Sequence, residues 1–222
     1  MTVQVKICGL TRREDVLFAV RFGADFVGVV VGAPDSPRNR AEREARLLIQ
    51  TSSVPVVLVT RRHPVPRIQD LVRQCQPAIL QIHTVPDLAY TAELVKALPC
   101  PVWAAVPMPP VGKAGEEGSN NLLSIAQGLA AAGCQALVLD TKTSKHFGGG
   151  GVVGDWQFAR RIIEKVSIPC LLAGGLTADT VAEAVRTARP WGVDVSSGVE
   201  LKLGIKSPEL IRRFIQEAKG AS

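Results

Sequence analysis

Aromatic residues make up only 5% of this 222-residue chain, and its 26 lysines and arginines are dispersed rather than clustered. With few rings to stack on bases and no basic stripe to follow a phosphate backbone, nucleic acid is excluded as a partner despite a net charge of +6. No apolar run approaches the length of a membrane-spanning helix, so no membrane association is expected. The N-terminal residues lack a basic stretch followed by an apolar one and do not read as a signal peptide. The five cysteines, at 8, 75, 100, 134 and 170, are odd in number and form no CxxC pair. That excludes a disulfide framework and structural zinc, and it points to a reducing cytoplasm. The three histidines form no HxH pair and have no close set of carboxylates, so no metal is expected.

What the chain does have is a repeated alternation. Short runs rich in Val, Ile and Leu begin near Val3, Asp25, Val54, Ala78, Pro101, Ala136, Ile168 and Gly192. Each is followed by a stretch with helical spacing: Arg12–Phe22, Ala41–Ser52, Pro66–Gln74, Pro86–Leu98, Asn121–Ala132, Asp155–Val166, Ala178–Ala188 and Pro208–Lys219. Thr11 followed by Glu14 reads as a capping box, Asp155 and Ser207-Pro208 as later helix starts, and Gly23 and Gly133 as helix ends. Strict strand–helix alternation implies parallel strands. Eight such units predict a single-domain (β/α)₈ barrel over residues 1–222. A doubly wound open sheet would carry a glycine-rich fingerprint after its first strand, and Cys8-Gly9-Leu10-Thr11 has one glycine. The stretch Pro107–Asn120, with three prolines and three glycines, reads as an irregular loop after the fifth strand.

In such a barrel the functional residues lie at the C-terminal ends of the strands. Side chains alternate along a strand, so Val3, Val5 and Ile7 should face the helices while Gln4, Lys6 and Cys8 face the interior. By the same parity Asp140 ends the sixth strand pointing inward, nearly opposite Cys8. An unpaired cysteine is commonly a small buried hydrophobe, and an aspartate at a strand end often caps a loop. Two potential proton-transfer groups converging on one mouth favour acid–base chemistry instead. Gly174-Gly175 after the seventh strand and Ser196-Ser197-Gly198 after the eighth occupy the recurring phosphate site of this fold. Gly149 and Gly150 in the glycine run after the sixth strand could add further amides. Arg38, after the second strand, suits a carboxylate, and His83 ends the fourth strand facing inward. The expected partner is a small phosphorylated molecule.

These residues resemble the phosphoribosylanthranilate isomerase family of tryptophan biosynthesis. The resemblance rests on Lys6-Ile7-Cys8-Gly9-Leu10-Thr11, Ser36-Pro37-Arg38, Gln81-Ile82-His83, Leu139-Asp140-Thr141, Ala173-Gly174-Gly175 and Asp194-Val195-Ser196-Ser197-Gly198-Val199-Glu200. It runs from the first strand to the last helix in order. It implies a cofactor-free Amadori rearrangement by a monomer or homodimer, with Asp140 as general acid, Cys8 as general base and Arg38 on the anthranilate carboxylate. The base would need a neighbouring charge such as Lys6 to lower its pKa. The chain departs from the family pattern at Thr84 (glycine in the family), in its unbroken Gly148–Gly151, before Ser36, in the length of the Pro107–Asn120 loop, and at Ser207 (aspartate in the family). Those differences leave two rivals open, a sugar-phosphate isomerase or epimerase with a different aglycone and a non-catalytic phosphate-ligand binder.

Overall fold

Runs of β-branched and aliphatic residues, buried on both faces, make the eight strands of a parallel sheet. They are β1 (Gln4–Ile7), β2 (Phe26–Val31), β3 (Val56–Thr60), β4 (Ile79–Ile82), β5 (Val102–Met108), β6 (Ala136–Thr141), β7 (Cys170–Ala173) and β8 (Gly192–Val195). Each is followed by a helix: α1 (Arg13–Arg21), α2 (Glu42–Thr51), α3 (Val65–Cys75), α4 (Leu88–Ala97), α5 (Glu116–Ala131), α6 (Trp156–Ile163), α7 (Val181–Ala188) and α8 (Pro208–Gly220). The computed structural model describes residues 2–111, 116–141 and 154–221. Neighbouring strands pair in parallel around the sheet, and β1 pairs with both β8 (Lys6↔Asp194) and β2 (Lys6↔Phe26). That double pairing closes the sheet into the expected barrel.

The alternation of side chains divides the apolar residues into two bodies. Val5, Ile7, Val27, Val29, Leu80, Leu137 and Leu139 join the layer between sheet and helices. Cys8, Val57, Val59, Trp103, Ala136, Val138 and Leu171 form a separate cluster inside the barrel. The parity read from β1 and β6 therefore holds. At the N-terminal ends of the strands the interior is plugged by three rings. Trp103 packs edge-on to Phe26 at 5.2 Å between centroids, and Trp191 lies 5.7 Å from Phe26 and 6.3 Å from Trp103.

Local signals account for several helix ends. Asp155 accepts from Phe158 N at 2.8 Å and Ser207 from Leu210 N at 3.3 Å, so both open helices as N-caps. The cap at 207 needs only a side-chain oxygen, which serine supplies as well as aspartate. Thr11 does not form the expected capping box: its hydroxyl donates to Gly204 O at 2.5 Å, and Arg12 is the N-cap of α1 without a side-chain capping bond. The stretch expected to be irregular from Pro107 to Asn120 is shorter in the fold. Strand β5 continues through Pro107 to Met108, and α5 begins at Glu116, ahead of the Asn121 expected. Gly118 falls in the first turn, where amides have no intrahelical partner and helix propensity counts for less.

Candidate active site

The C-terminal ends of the strands surround a cavity lined by Cys8, Arg38, His83, Asp140, Gly174, Gly175, Ser196, Ser197 and Gly198. Nine residues singled out in the sequence thus meet in one place. Gly149 and Gly150 lie outside the described residues. A second cavity adjoins the first, sharing His83 and Asp140 and walled by Arg61, Thr84, Val85, Ala105 and Pro107. The departure at Thr84 therefore sits on the far wall from the glycine loops.

Cys8 and Asp140 are each only 8% exposed, both reachable from the cavity. The thiol needs room that glycine provides. A Cβ on Gly28, in the neighbouring strand β2, would come within 2.7 Å of Cys8 Sγ and 3.2 Å of Lys6 Cε. Behind the thiol, Lys6 is fully buried and donates to Asp194 Oδ2 at 2.8 Å and to Gln81 Oε1 at 3.0 Å. Burial opposes its charge, yet the Asp194 ion pair and the neighbouring Cys8 together hold its pKa above the usual lysine range. Cys8 was expected to have a lowered pKa. Burial instead pushes the thiol up, and the ammonium groups of Lys6 and Lys206, which lower it, offset that only in part; Asp194 adds to the rise. The sequence showed the charged neighbour but not how completely the thiol is desolvated.

Asp140 is flanked by His83, whose Nε2 lies 3.1 Å from Oδ2 of the carboxylate. The other ring nitrogen, Nδ1, is 3.4 Å from the side-chain amide of Gln81. Asp194 keeps one oxygen on Lys6, while its Oδ1 is buried in the cavity wall without a hydrogen-bond partner among the described residues. A buried carboxylate oxygen in that state is a ready acceptor for a ligand hydroxyl.

Arg38 is also nearly buried, and its fork is already filled. Nε and Nη2 each donate to Glu200 at 2.7 Å, a bidentate pair, which leaves Nη1 and the second N–H of Nη2 for a ligand. Gly9 makes this possible: a Cβ there would stand 2.5 Å from Arg38 Cδ and 2.7 Å from Ser196 Oγ, and its φ of +69° is one that favours glycine. Lys206, fully buried, donates to Glu200 Oε1 at 3.0 Å and to Ser196 O at 2.9 Å, tying the arginine clamp to the loop after β8. Burial lowers the Lys206 pKa. For Glu200 burial is outweighed by Arg38 and Lys206, and its carboxyl stays below the usual range. Glu200 and Lys206 were not recognised as site residues. Glu200 stood at the end of the Ser-Ser-Gly-Val-Glu run and Gln81 in the Gln81-Ile82-His83 run, which were the available signals; nothing local marks Lys206.

At the anion end, a 3₁₀ turn (Ser197–Val199) follows β8 directly, beside the Gly174-Gly175 loop of β7. A Cβ on Gly198 would stand 1.9 Å from Leu176 O, so the two loops are in close backbone contact. Together they can offer backbone N–H groups and two hydroxyls to an anion.

Comparison with known proteins gives a consistent result. Residues 5–217 match the family model described as N-(5'phosphoribosyl)anthranilate (PRA) isomerase. The chain is 36% identical to the N-(5'-phosphoribosyl)anthranilate isomerase of Xanthomonas campestris pv. campestris, covering 98% of this chain and 94% of that one. It is also 36% identical to the protein of the same name from Haloferax volcanii, again over 98% of this chain and 94% of that one. The crystal structure of phosphoribosyl anthranilate isomerase from Thermotoga maritima superposes with a TM-score of 0.84 at 31% identity, covering 98% of this chain and 99% of that one. A phosphoribosyl anthranilate isomerase in complex with reduced 1-(o-carboxyphenylamino)-1-deoxyribulose 5-phosphate has a TM-score of 0.80 at 29% identity, with coverage of 98% and 99%.

Proposed function

The chain belongs to the phosphoribosylanthranilate isomerase family, and from that premise we propose how its cavity works on the substrate. The reaction is the rearrangement of N-(5'-phosphoribosyl)anthranilate to 1-(2-carboxyphenylamino)-1-deoxyribulose 5-phosphate, a step of tryptophan biosynthesis. The observation that carries the residue roles is the facing of Cys8 and Asp140 across one cavity with the glycine loops at its edge.

The phosphate rests on the loops after β7 and β8, against Gly175, Ser196 and Ser197. Asp140 gives its carboxyl proton to the ring oxygen as the C1′–O bond breaks. The electrons of that bond stay on oxygen, and the anthranilate nitrogen lone pair forms the C1′=N bond. Cys8, as thiolate, takes the C2′ proton; the electrons of that C–H bond form C1′=C2′ and neutralise the nitrogen. The resulting enol tautomerises to the ketone, and the protons gained by Cys8 and lost by Asp140 are exchanged with solvent. Lys6 and Lys206 favour the thiolate against the cost of burial. Asp194 Oδ1 accepts from a ribose hydroxyl. Arg38 holds the anthranilate carboxylate through Nη1 and the remaining N–H of Nη2, since Glu200 occupies the Nε side of the guanidinium.

The relatives include a dimeric enzyme from Thermotoga maritima, and we place this chain among monomers or homodimers of the cytoplasm. No described helix is long and apolar enough to cross a membrane. Incubating purified protein with phosphoribosylanthranilate and following its fluorescence tests the reading. Enzyme-dependent loss of fluorescence with appearance of the deoxyribulose product is expected; fluorescence that persists at high enzyme concentration would refute it.

A further inference from the structure

A line of side chains crosses the barrel interior along the cavity wall, from the buried Lys6 on β1 through Gln81 and His83 at the end of β4 to Asp140 on β6. Its separations are 3.0 Å (Lys6 Nζ to Gln81 Oε1), 3.4 Å (Gln81 Nε2 to His83 Nδ1) and 3.1 Å (His83 Nε2 to Asp140 Oδ2). The direction of this line is set at one end. An ammonium has three donors and no acceptor, so Gln81 must turn its carbonyl oxygen to Lys6. Gln81 is 1% exposed and anchored by that charge, so its amide cannot flip without facing NH₂ against NH₃⁺. Its nitrogen, a donor, then faces His83 Nδ1. A proton on Nδ1 would meet that amide donor to donor, so Nδ1 must be the bare, accepting nitrogen. In the neutral ring the proton then lies on Nε2, directed at Asp140 Oδ2.

We propose that Gln81 is a positioning residue: oriented by Lys6, it fixes His83 as the Nε2–H tautomer, which holds Asp140 Oδ2 and leaves Oδ1 to carry the acid proton. This rests on Asp140 being the acid of the proposed reaction, and it adds two residues that act through Asp140. The same lysine thus stands behind both groups, stabilising the thiolate of Cys8 and, through Gln81 and His83, presenting the acid. When Asp140 has given up its proton, the Nε2–H stabilises the carboxylate left behind.

The test has a readout independent of activity. Histidine ¹⁵N spectra of the ligand-free wild-type protein distinguish a protonated from a bare ring nitrogen, and His83 is assigned by the signals lost in His83→Leu. The expected result is a proton on Nε2 and a bare Nδ1. Gln81→Met, similar in size and without either hydrogen bond, should shift His83 toward a mixture of tautomers. It should lower kcat about tenfold with KM unchanged, the scale on which lost orienting partners act. His83→Gln, which keeps an N–H donor, should recover part of the activity lost in His83→Leu. A wild-type His83 protonated on Nδ1, or a Gln81→Met protein with the tautomer and kcat of the parent, overturns the proposal. Wild-type protein inert toward phosphoribosylanthranilate would instead refute the acid–base reading, leaving the tautomer result to stand by itself.

Discussion

The two ends of the barrel are built from opposite materials. At the N-terminal end Phe26, Trp103 and Trp191 pack the interior with rings. At the C-terminal end, Lys6, Asp194, Arg38, Glu200 and Lys206 are nearly or fully buried and held in ion pairs. Burying ions costs stability unless every partner is supplied, and the apolar packing below offsets that cost. One end keeps the barrel closed and the other keeps a thiol and a carboxyl facing each other. Substitutions at the two ends should therefore separate folding from turnover.

The largest effect is expected at the open end. Cys8→Ser and Asp140→Asn should each lower kcat by roughly 10²-fold or more, the scale of a positioned acid or base, while Tm stays near that of the parent. A loss of Tm with normal turnover per folded molecule would erase the contrast. At the closed end Trp103→Ala should behave in the reverse sense. Truncating a buried tryptophan costs about 3–5 kcal/mol, read from denaturant unfolding, with kcat per folded enzyme unchanged. Gly28→Ala tests the boundary between them. The added Cβ, 2.7 Å from Cys8 Sγ, should displace the thiol and lower kcat, with a stability loss of about 1–3 kcal/mol from overpacking.

The smallest effect concerns pH. The base acts when Cys8 is deprotonated, so kcat/KM should rise as pH rises through a Cys8 pKa lifted by burial. Lys206 lowers that pKa, so Lys206→Met should move the rise to higher pH while Glu200 keeps Arg38 as its partner. A shift to lower pH, or none, would remove Lys206 from the thiol's electrostatics.

The contrast between the ends also governs what could be read from the sequence. Short apolar runs such as Val-Val-Leu-Val-Thr and the parity of Lys6, Cys8 and Asp140 depend on local geometry, and these carried over into the structure with the barrel itself. The start of α5 did not, because Gly118 and Ser119 read as loop formers. The partnerships behind the cavity were least visible. Lys6 meets Asp194 across 188 positions and Gln81 across 75, and Arg38 meets Glu200 across 162. Parity says which way each side chain points but not which strand supplies its partner. The aromatic plug was missed for the same reason, since Phe26, Trp103 and Trp191 come together only when the sheet closes.

The most direct test is a crystal structure with reduced 1-(o-carboxyphenylamino)-1-deoxyribulose 5-phosphate. The phosphate should lie against Gly175 and Ser197, and the hydroxyl derived from the ring oxygen within hydrogen-bond reach of Asp140 Oδ1, about 2.6–3.2 Å. Cys8 Sγ should face the C2′ carbon from the other side. A ligand with its phosphate elsewhere, or with both Cys8 and Asp140 on one face of the sugar, would contradict this arrangement.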